Sequence, residues 1–359
     1  MAWLSGYNKR IKVTADHTKV GSNLSWFPLT IFLKSGDGDT TKIFDELGSN
    51  NLKMAITKSD GTTQLYVEIE QWDTTNKVGV LHCGRDGDTL SSSADTDYYI
   101  YYDSSHADNT DYVGVKNSTP AQSVWDGNFK AIYHMSDGAD TSHIYDSTSN
   151  NNDGTKKAAN EPTQADGQIA KAQSFDGTDD KILTDLDPST ELEQTITIEA
   201  WVYPHAQSNY RGIMGEHIGA GSFAGIIGFQ YEDGYWAFGY GNGKTFPMNK
   251  NIGALTLNSW VYLVGTITAG TGGNINVFKD GTQVGNPFSV STSISHTSVF
   301  NIGRAYDMAG RYFDGIIDEV RISNVARSAA WIKATYNSLN DSLLTYGAEE
   351  TNANFFPFF

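Results

Sequence analysis

The densest run of oxygen-bearing side chains in the 359-residue sequence is Tyr145-Asp146-Ser147-Thr148-Ser149-Asn150-Asn151-Asn152-Asp153-Gly154. Carboxylate, amide and hydroxyl oxygens packed this closely suit a hard cation such as Ca2+. The same composition also makes an ordinary turn, in which Asn and Asp satisfy their own backbone. A second candidate is Phe313-Asp314-Gly315-Ile316-Ile317-Asp318-Glu319-Val320-Arg321-Ile322. Period-two alternation there puts Ile316, Asp318, Val320 and Ile322 on one face and Ile317, Glu319 and Arg321 on the other. An aspartate on an apolar strand face must be neutralised by a metal ion, an arginine or several backbone N–H groups.

Catalysis finds little support in the spacing. Glycosidases need two carboxyl groups facing one groove, whereas neighbours such as Asp318 and Glu319 point to opposite faces of a strand. Asp176, Asp179 and Asp180 fall in a turn and read as structural. The histidines, among them His134, His205 and His217, have no ligand spacing, and no serine sits in a Gly-x-Ser-x-Gly elbow. Binding is easier to support. Tyr210, Arg211, Trp236, Tyr240 and Tyr306 lie in or near Gly-rich segments, and aromatic faces beside polar groups are how sugar sites are built. The alternative is that such rings fill the core. The sequence ends in Phe355-Phe356-Pro357-Phe358-Phe359, a run that reads as a peptide docking in a neighbouring subunit or folding back on its own domain.

These residues must be positioned by strands. Short apolar stretches separated by Gly, Asn, Asp and Ser recur along the chain, Gly numbers 36, and long helix-forming runs are absent, which predicts an all-β protein. Strands are expected at 7–15, 26–33, 52–57, 64–71, 77–83 and 97–102, then a polar connector, then a second set beginning near Phe129. The last expected element is a short helix from Ala329 to about Asn337. The length allows two domains. The single cysteine, Cys83, excludes an intrachain disulfide. A formal charge of −17 argues against nucleic acid and against anionic membrane surfaces.

The first half resembles a domain family of unknown function found in bacterial and archaeal surface proteins. The resemblance rests on Ile43-Phe44-Asp45, Asp60-Gly61-Thr62, Val67-Glu68-Ile69-Glu70-Gln71-Trp72-Asp73 and Tyr99-Ile100-Tyr101-Tyr102. It implies a β-sandwich and no known activity. The second half, over roughly 129–340, resembles the laminin-G-like, concanavalin A-like jelly-roll family. The carriers are Tyr145-Asp146-Ser147 with Asp153-Gly154, then Ala172 to Asp180, then Thr197-Ile198-Glu199-Ala200-Trp201-Val202-Tyr203-Pro204. Val277-Phe278-Lys279-Asp280-Gly281, Asn301-Ile302-Gly303-Arg304 and Phe313 to Ile322 complete them. That resemblance implies two curved antiparallel sheets, glycan or protein binding without catalysis, and one structural Ca2+ held by Asp146 and Asp318, with Asn151 and Asp153 completing the shell. The competing partner for Asp318 is Arg304 or Arg321.

The expected organisation is a β-sandwich over 1–125, a concanavalin A-like jelly roll over 126–348 with the short helix, and an aromatic docking tail over 349–359. The expected function is non-catalytic adhesion. The segment Met1–Arg10 lacks the apolar stretch of a secretory signal, so the expected setting is a phage virion, as decoration, fibre or tail component. Its partners would be glycans or cell-surface polysaccharide and neighbouring subunits, through Phe355, Phe356, Phe358 and Phe359, with no nucleic acid and no membrane insertion. The alternatives are a bacterial or archaeal cell-surface or filament protein, and third a glycan-processing enzyme.

Overall fold

The computed structural model describes residues 2–138, 140–156, 161–208, 210–216, 222–305 and 310–353. Their contacts divide the chain into two compact units, the described residues of Met1–Asp126 with Lys333–Phe359, and those of Gly127–Ile332. The first unit is built on one antiparallel path of strands. In spatial order these are Leu344–Thr351, Lys9–Ala15, Thr96–Tyr102, Met54–Lys58, Gln64–Asp73, Val78–Gly84 and Leu29–Leu33. Val113–Val115 adds in parallel to Gln64–Asp73. Alternation sorts the side chains: Ile11, Ile56 and Ile100 lie in register on three neighbouring strands and are fully buried. Tyr7, Ala55, Tyr99 and Tyr101 make a separate aromatic cluster with Trp3 and Leu4. There the Arg10 guanidinium lies 4.2 Å over Trp3 and 4.0 Å over Tyr99, and donates to the Tyr101 hydroxyl at 2.9 Å. The run of tyrosines is therefore core.

The expected assignment of residues up to 348 to the jelly roll is corrected here. Leu344–Thr351 pairs with Lys9–Ala15, from Ala15↔Leu344 to Lys9↔Thr351. The Tyr346 hydroxyl accepts from Phe32 N at 3.0 Å, and Ser338 Oγ accepts from Thr30 N at 2.8 Å. The physical reason is an edge strand: its open N–H and C=O groups take a partner more than 300 residues away, which local periodicity does not reveal. Part of the segment expected as a tail is thus a strand. The four phenylalanines of that tail lie outside the described residues.

The second unit stacks two antiparallel sheets. One runs Thr163–Asp166, Lys171–Asp176, Asp314–Ser323, Thr195–Pro204, Val261–Thr268, Gly273–Lys279 and Thr282–Gln283, with Phe129–Tyr133 and Phe288–Val290 attached. The other runs His143–Ile144, Gly154–Lys156, Ile182–Thr184, Phe300–Ile302, Gly212–Glu216, Ile226–Glu232, Tyr235–Tyr240 and Met248–Gly253. Between them lies one core. Ile196, Ile198, Ala200 and Val202 face inward from the first sheet, and Ile213, Ile226, Phe229, Trp236 and Phe238 from the second. This is the all-β jelly-roll architecture expected from the sequence.

The alternation expected for the closing strand breaks at one residue. Glu199 pairs with Arg321 and Trp201 with Asp318, so between those pairs Ala200 alone faces two residues, Glu319 and Val320. Glu319 occupies the extra position with φ 49°. The bulge puts Ile317, Val320 and Ile322 together in the core, and leaves Ile316 out of it. Asp318 accordingly points away from that core. The inserted Glu319 carboxylate accepts from Arg321 Nη2 at 2.8 Å and contacts His134.

Candidate functional site

A second bulge builds the surface of interest, on the outer face of the second sheet. Ile227 pairs with Gly239 and Gln230 with Ala237, so the Ile226–Glu232 strand carries an extra residue there. Phe229 takes φ 70° and turns its ring into the core beside Ile226. Strict alternation would send Gln230 inward with Ile226; the inserted residue sends Gln230 and Glu232 outward instead. Across the intervening strand Tyr235–Tyr240, Met248 and Lys250 of Met248–Gly253 face the same way. Ile227 and Met248, with Ala237, Ala305 and Phe246, form a small apolar cluster on this outer face.

These side chains line a groove of about 240 Å³. Ile227, Met248 and Phe246 give it an apolar floor, and Gln230, Glu232 and Lys250 a polar wall. Tyr210 and Arg311 close it, the guanidinium 4.5 Å from the centre of the Tyr210 ring, which is 41 % exposed. Lys250 Nζ lies 3.5 Å from a Glu232 carboxylate oxygen. Backbone bonds fix the rim. Tyr210 N donates to Tyr231 O at 2.6 Å, Tyr231 N to Arg211 O at 2.9 Å, and Gly212 N to Arg311 O at 3.2 Å. Gln230 is only 5 % exposed, and its Oε1 finds no donor among the described residues. The groove thus offers a ring face, a carbonyl acceptor and a cation–carboxylate pair within one small volume, which matches the chemistry of a polyhydroxylated ring.

Of the ring residues singled out from the sequence, Tyr210 alone among the described residues lies in this groove. Arg211 sits beside it in the chain but turns to Asp314, 3.5 Å away. Trp236 and Tyr240 are fully buried in the core and are corrected here as packing residues. Trp236 Nε1 donates to Gln207 Oε1 at 2.7 Å and the Tyr240 hydroxyl to Thr292 O at 2.6 Å. Tyr306 lies outside the described residues, as do Asn209 and His217. Gln230, Glu232, Lys250, Phe246, Met248 and Arg311 were not singled out. A bulge carries no local sequence mark at Phe229, so the outward face of this strand could not be counted from periodicity.

The expected calcium ligands form a hydrogen-bonded knot instead. Asp146 Oδ1 accepts from Ile132 N and Thr148 N, both at 2.9 Å. Its Oδ2 accepts from Thr148 Oγ1 at 2.7 Å and from Asn152 N at 2.9 Å. Burial pushes this carboxyl up to about 6, against the pull of those donors. Asp153 Oδ1 is taken by Asp146 N at 2.8 Å. Asn151 is exposed and donates to Ser149 O. Asp318 Oδ2 accepts from Ile169 N at 2.8 Å, under a turn where a Cβ on Gly167 would come within 2.5 Å of it. Among the described residues, no group of three His, Cys, Asp or Glu ligand atoms within 4.8 Å of one another includes Asp146, Asp153 or Asp318. These four residues are not gathered into one carboxylate cluster. The Asp146 carboxylate is met by N–H and O–H donors, and Asp318 Oδ2 by one backbone N–H.

Residues 176–333 match a laminin-G family model described as the concanavalin A-like lectin/glucanases superfamily. The matched residues fall almost wholly in the second unit. No curated protein matches the sequence. Among solved structures, the chain is similar to domain 4 of AbnA, a GH43 extracellular arabinanase from Geobacillus stearothermophilus, in complex with arabinotriose. The identity is 21 %, covering 60 % of this chain and 98 % of that one, with a TM-score of 0.46. It is also similar to the binding domain of Paraclostridial Mosquitocidal Protein 1, at 16 % identity, 59 % and 52 % coverage and TM-score 0.43. The binding domain of Botulinum neurotoxin DC in complex with SialylT gives 12 % identity, the same two coverages and TM-score 0.43. The similarity spans about half the length of each of the two toxin chains.

Proposed function

We propose that the protein is a non-catalytic glycan-binding protein and that the groove at Tyr210 is its sugar site. The observation that carries this reading is the exposed Tyr210 ring, backed by Arg311, standing over a cavity with an apolar floor and a polar wall. A ring face held open at a groove of this size suits stacking against one sugar ring. The match of residues 176–333 to a lectin/glucanases family model supports the same reading. Among the described residues the lining has one carboxylate, Glu232, and it is engaged with Lys250. Glycoside hydrolysis needs two carboxyl groups facing the scissile bond, so this lining favours binding over cleavage. The test is a panel of oligosaccharides presented to the protein and to Tyr210→Ala. Loss of stacking is expected to weaken binding by about tenfold or more with the melting temperature unchanged. Equal binding by Tyr210→Ala would place the sugar elsewhere.

A further inference from the structure

We propose that Gln230 is the specificity-determining residue of this groove, accepting a hydrogen bond from a hydroxyl of a neutral sugar through its Oε1. The inference rests on the proposed glycan-binding role of the groove. Three observations converge on the atom. Gln230 lines the cavity while being 95 % withdrawn from solvent, its Oε1 has no donor among the described residues, and a backbone bulge puts it there. A buried carbonyl without a donor is unfavourable for the free protein. A bulge that sends an amide outward in place of Phe229 adds to that expense. Both features make sense when a bound molecule supplies the missing proton.

The surroundings select the chemistry of that molecule. Oε1 is an acceptor, so its partner must be an O–H or N–H donor. The wall beside it carries the Glu232 carboxylate, paired with Lys250. At this wall a ligand carboxylate has no hydrogen to offer Oε1 and meets the Glu232 carboxylate, whereas a sugar hydroxyl can donate to Oε1 and accept from Lys250. Neutral pyranoses or furanoses are therefore favoured over uronates. A site built to hydrogen-bond a hydroxyl also discriminates strongly against an analogue that lacks it.

The experiment measures calorimetric binding and thermal melting of the full chain and of Gln230→Leu, Gln230→Met and Tyr210→Ala. The probes are the neutral trisaccharides arabinotriose, xylotriose, maltotriose and mannotriose, with trigalacturonate as the acidic one. The expected result is that a neutral trisaccharide binds and that Gln230→Leu and Gln230→Met weaken it by about tenfold to a hundredfold. Their melting temperatures should equal or exceed that of the parent, because an apolar side chain removes an unpaired buried acceptor. A residue with a merely structural role would lower the melting temperature instead. If Tyr210→Ala loses binding while both Gln230 variants keep it, or if both melt lower, the role of Gln230 is overturned and the groove stands. Tighter binding of trigalacturonate than of every neutral probe overturns the neutral class. If no probe binds the parent, or Tyr210→Ala binds as the parent does, the groove itself and the role of Gln230 fall together.

Discussion

Replacing Asp146 distinguishes a hydrogen-bonded knot from a metal site, and the structure sets the size of the effect. In Asp146→Ala the N–H groups of Ile132, Thr148 and Asn152 lose their acceptor inside the fold. Each unmet buried donor costs about 1–3 kcal/mol, so the variant should lose at least about 3 kcal/mol. For a unit of this size that is a fall of about 6–12 °C in melting temperature. Asp146→Asn keeps one acceptor oxygen and should lose less. It also removes a titration. Burial raises the Asp146 carboxyl from 3.8 to about 6 in the folded protein. A carboxyl raised on folding contributes stability that is complete below pH 3.8 and is lost as pH climbs through about 6. Two pKa units correspond to about 3 kcal/mol. Urea unfolding followed from pH 4 to pH 7 should therefore show the parent losing about 2 kcal/mol more than Asp146→Asn. Calcium addition or EDTA should leave both curves unmoved. A melting temperature lowered by EDTA and restored by calcium would refute this account, as would equal pH slopes for parent and Asp146→Asn.

Two further substitutions probe the same unit. His296 is held between Glu216 Oε1, 2.7 Å from its Nδ1, and the Glu193 carbonyl, 2.9 Å from its Nε2, two acceptors that only the doubly protonated ring can satisfy. Burial lowers its pKa, but the Glu216 hydrogen bond and charge with the Glu193 carbonyl raise it further, for a net rise above 6.5. The stabilisation is complete below pH 6.5 and disappears as pH rises through the folded-state value. His296→Gln should therefore melt below the parent at pH 6, with the gap narrowing toward pH 9 in the same melting assay. Trp236→Phe should lower the melting temperature, because the ring fills the core and its N–H is bonded to Gln207, and should leave oligosaccharide affinity unchanged by calorimetry. A change in affinity at constant stability would return Trp236 to the site.

The fold was largely legible because it depends on alternation that repeats over whole strands. Ile196, Ile198, Ala200 and Val202 alternate in the sequence and all four reach the core. One strand with an unbroken period suffices to assign a face, and the turn chemistry at Asp280-Gly281 marks where the chain reverses. The limits are equally physical. Leu344–Thr351 alternates weakly and owes its place to an open edge far back in the sequence. No local pattern encodes a partner at that separation.

The site was mostly illegible, and for a related reason. Both surfaces where chemistry was sought depend on a single extra residue, Glu319 in one sheet and Phe229 in the other. Each inverts the parity of everything that follows it on its strand. Counted without the bulges, Asp318 joins Val320 and Ile322, and Gln230 vanishes into the core. Counted with them, Asp318 meets the Ile169 backbone N–H and Gln230 reaches the groove. The oxygen-rich run at Asp146–Gly154 failed differently. Its composition serves cation binding and backbone satisfaction equally well, and only the positions of the Ile132, Thr148 and Asn152 N–H groups decide between them. Side-chain type indicates which chemistry a segment can do, but the parity of the strand and the nearest donors determine which it does.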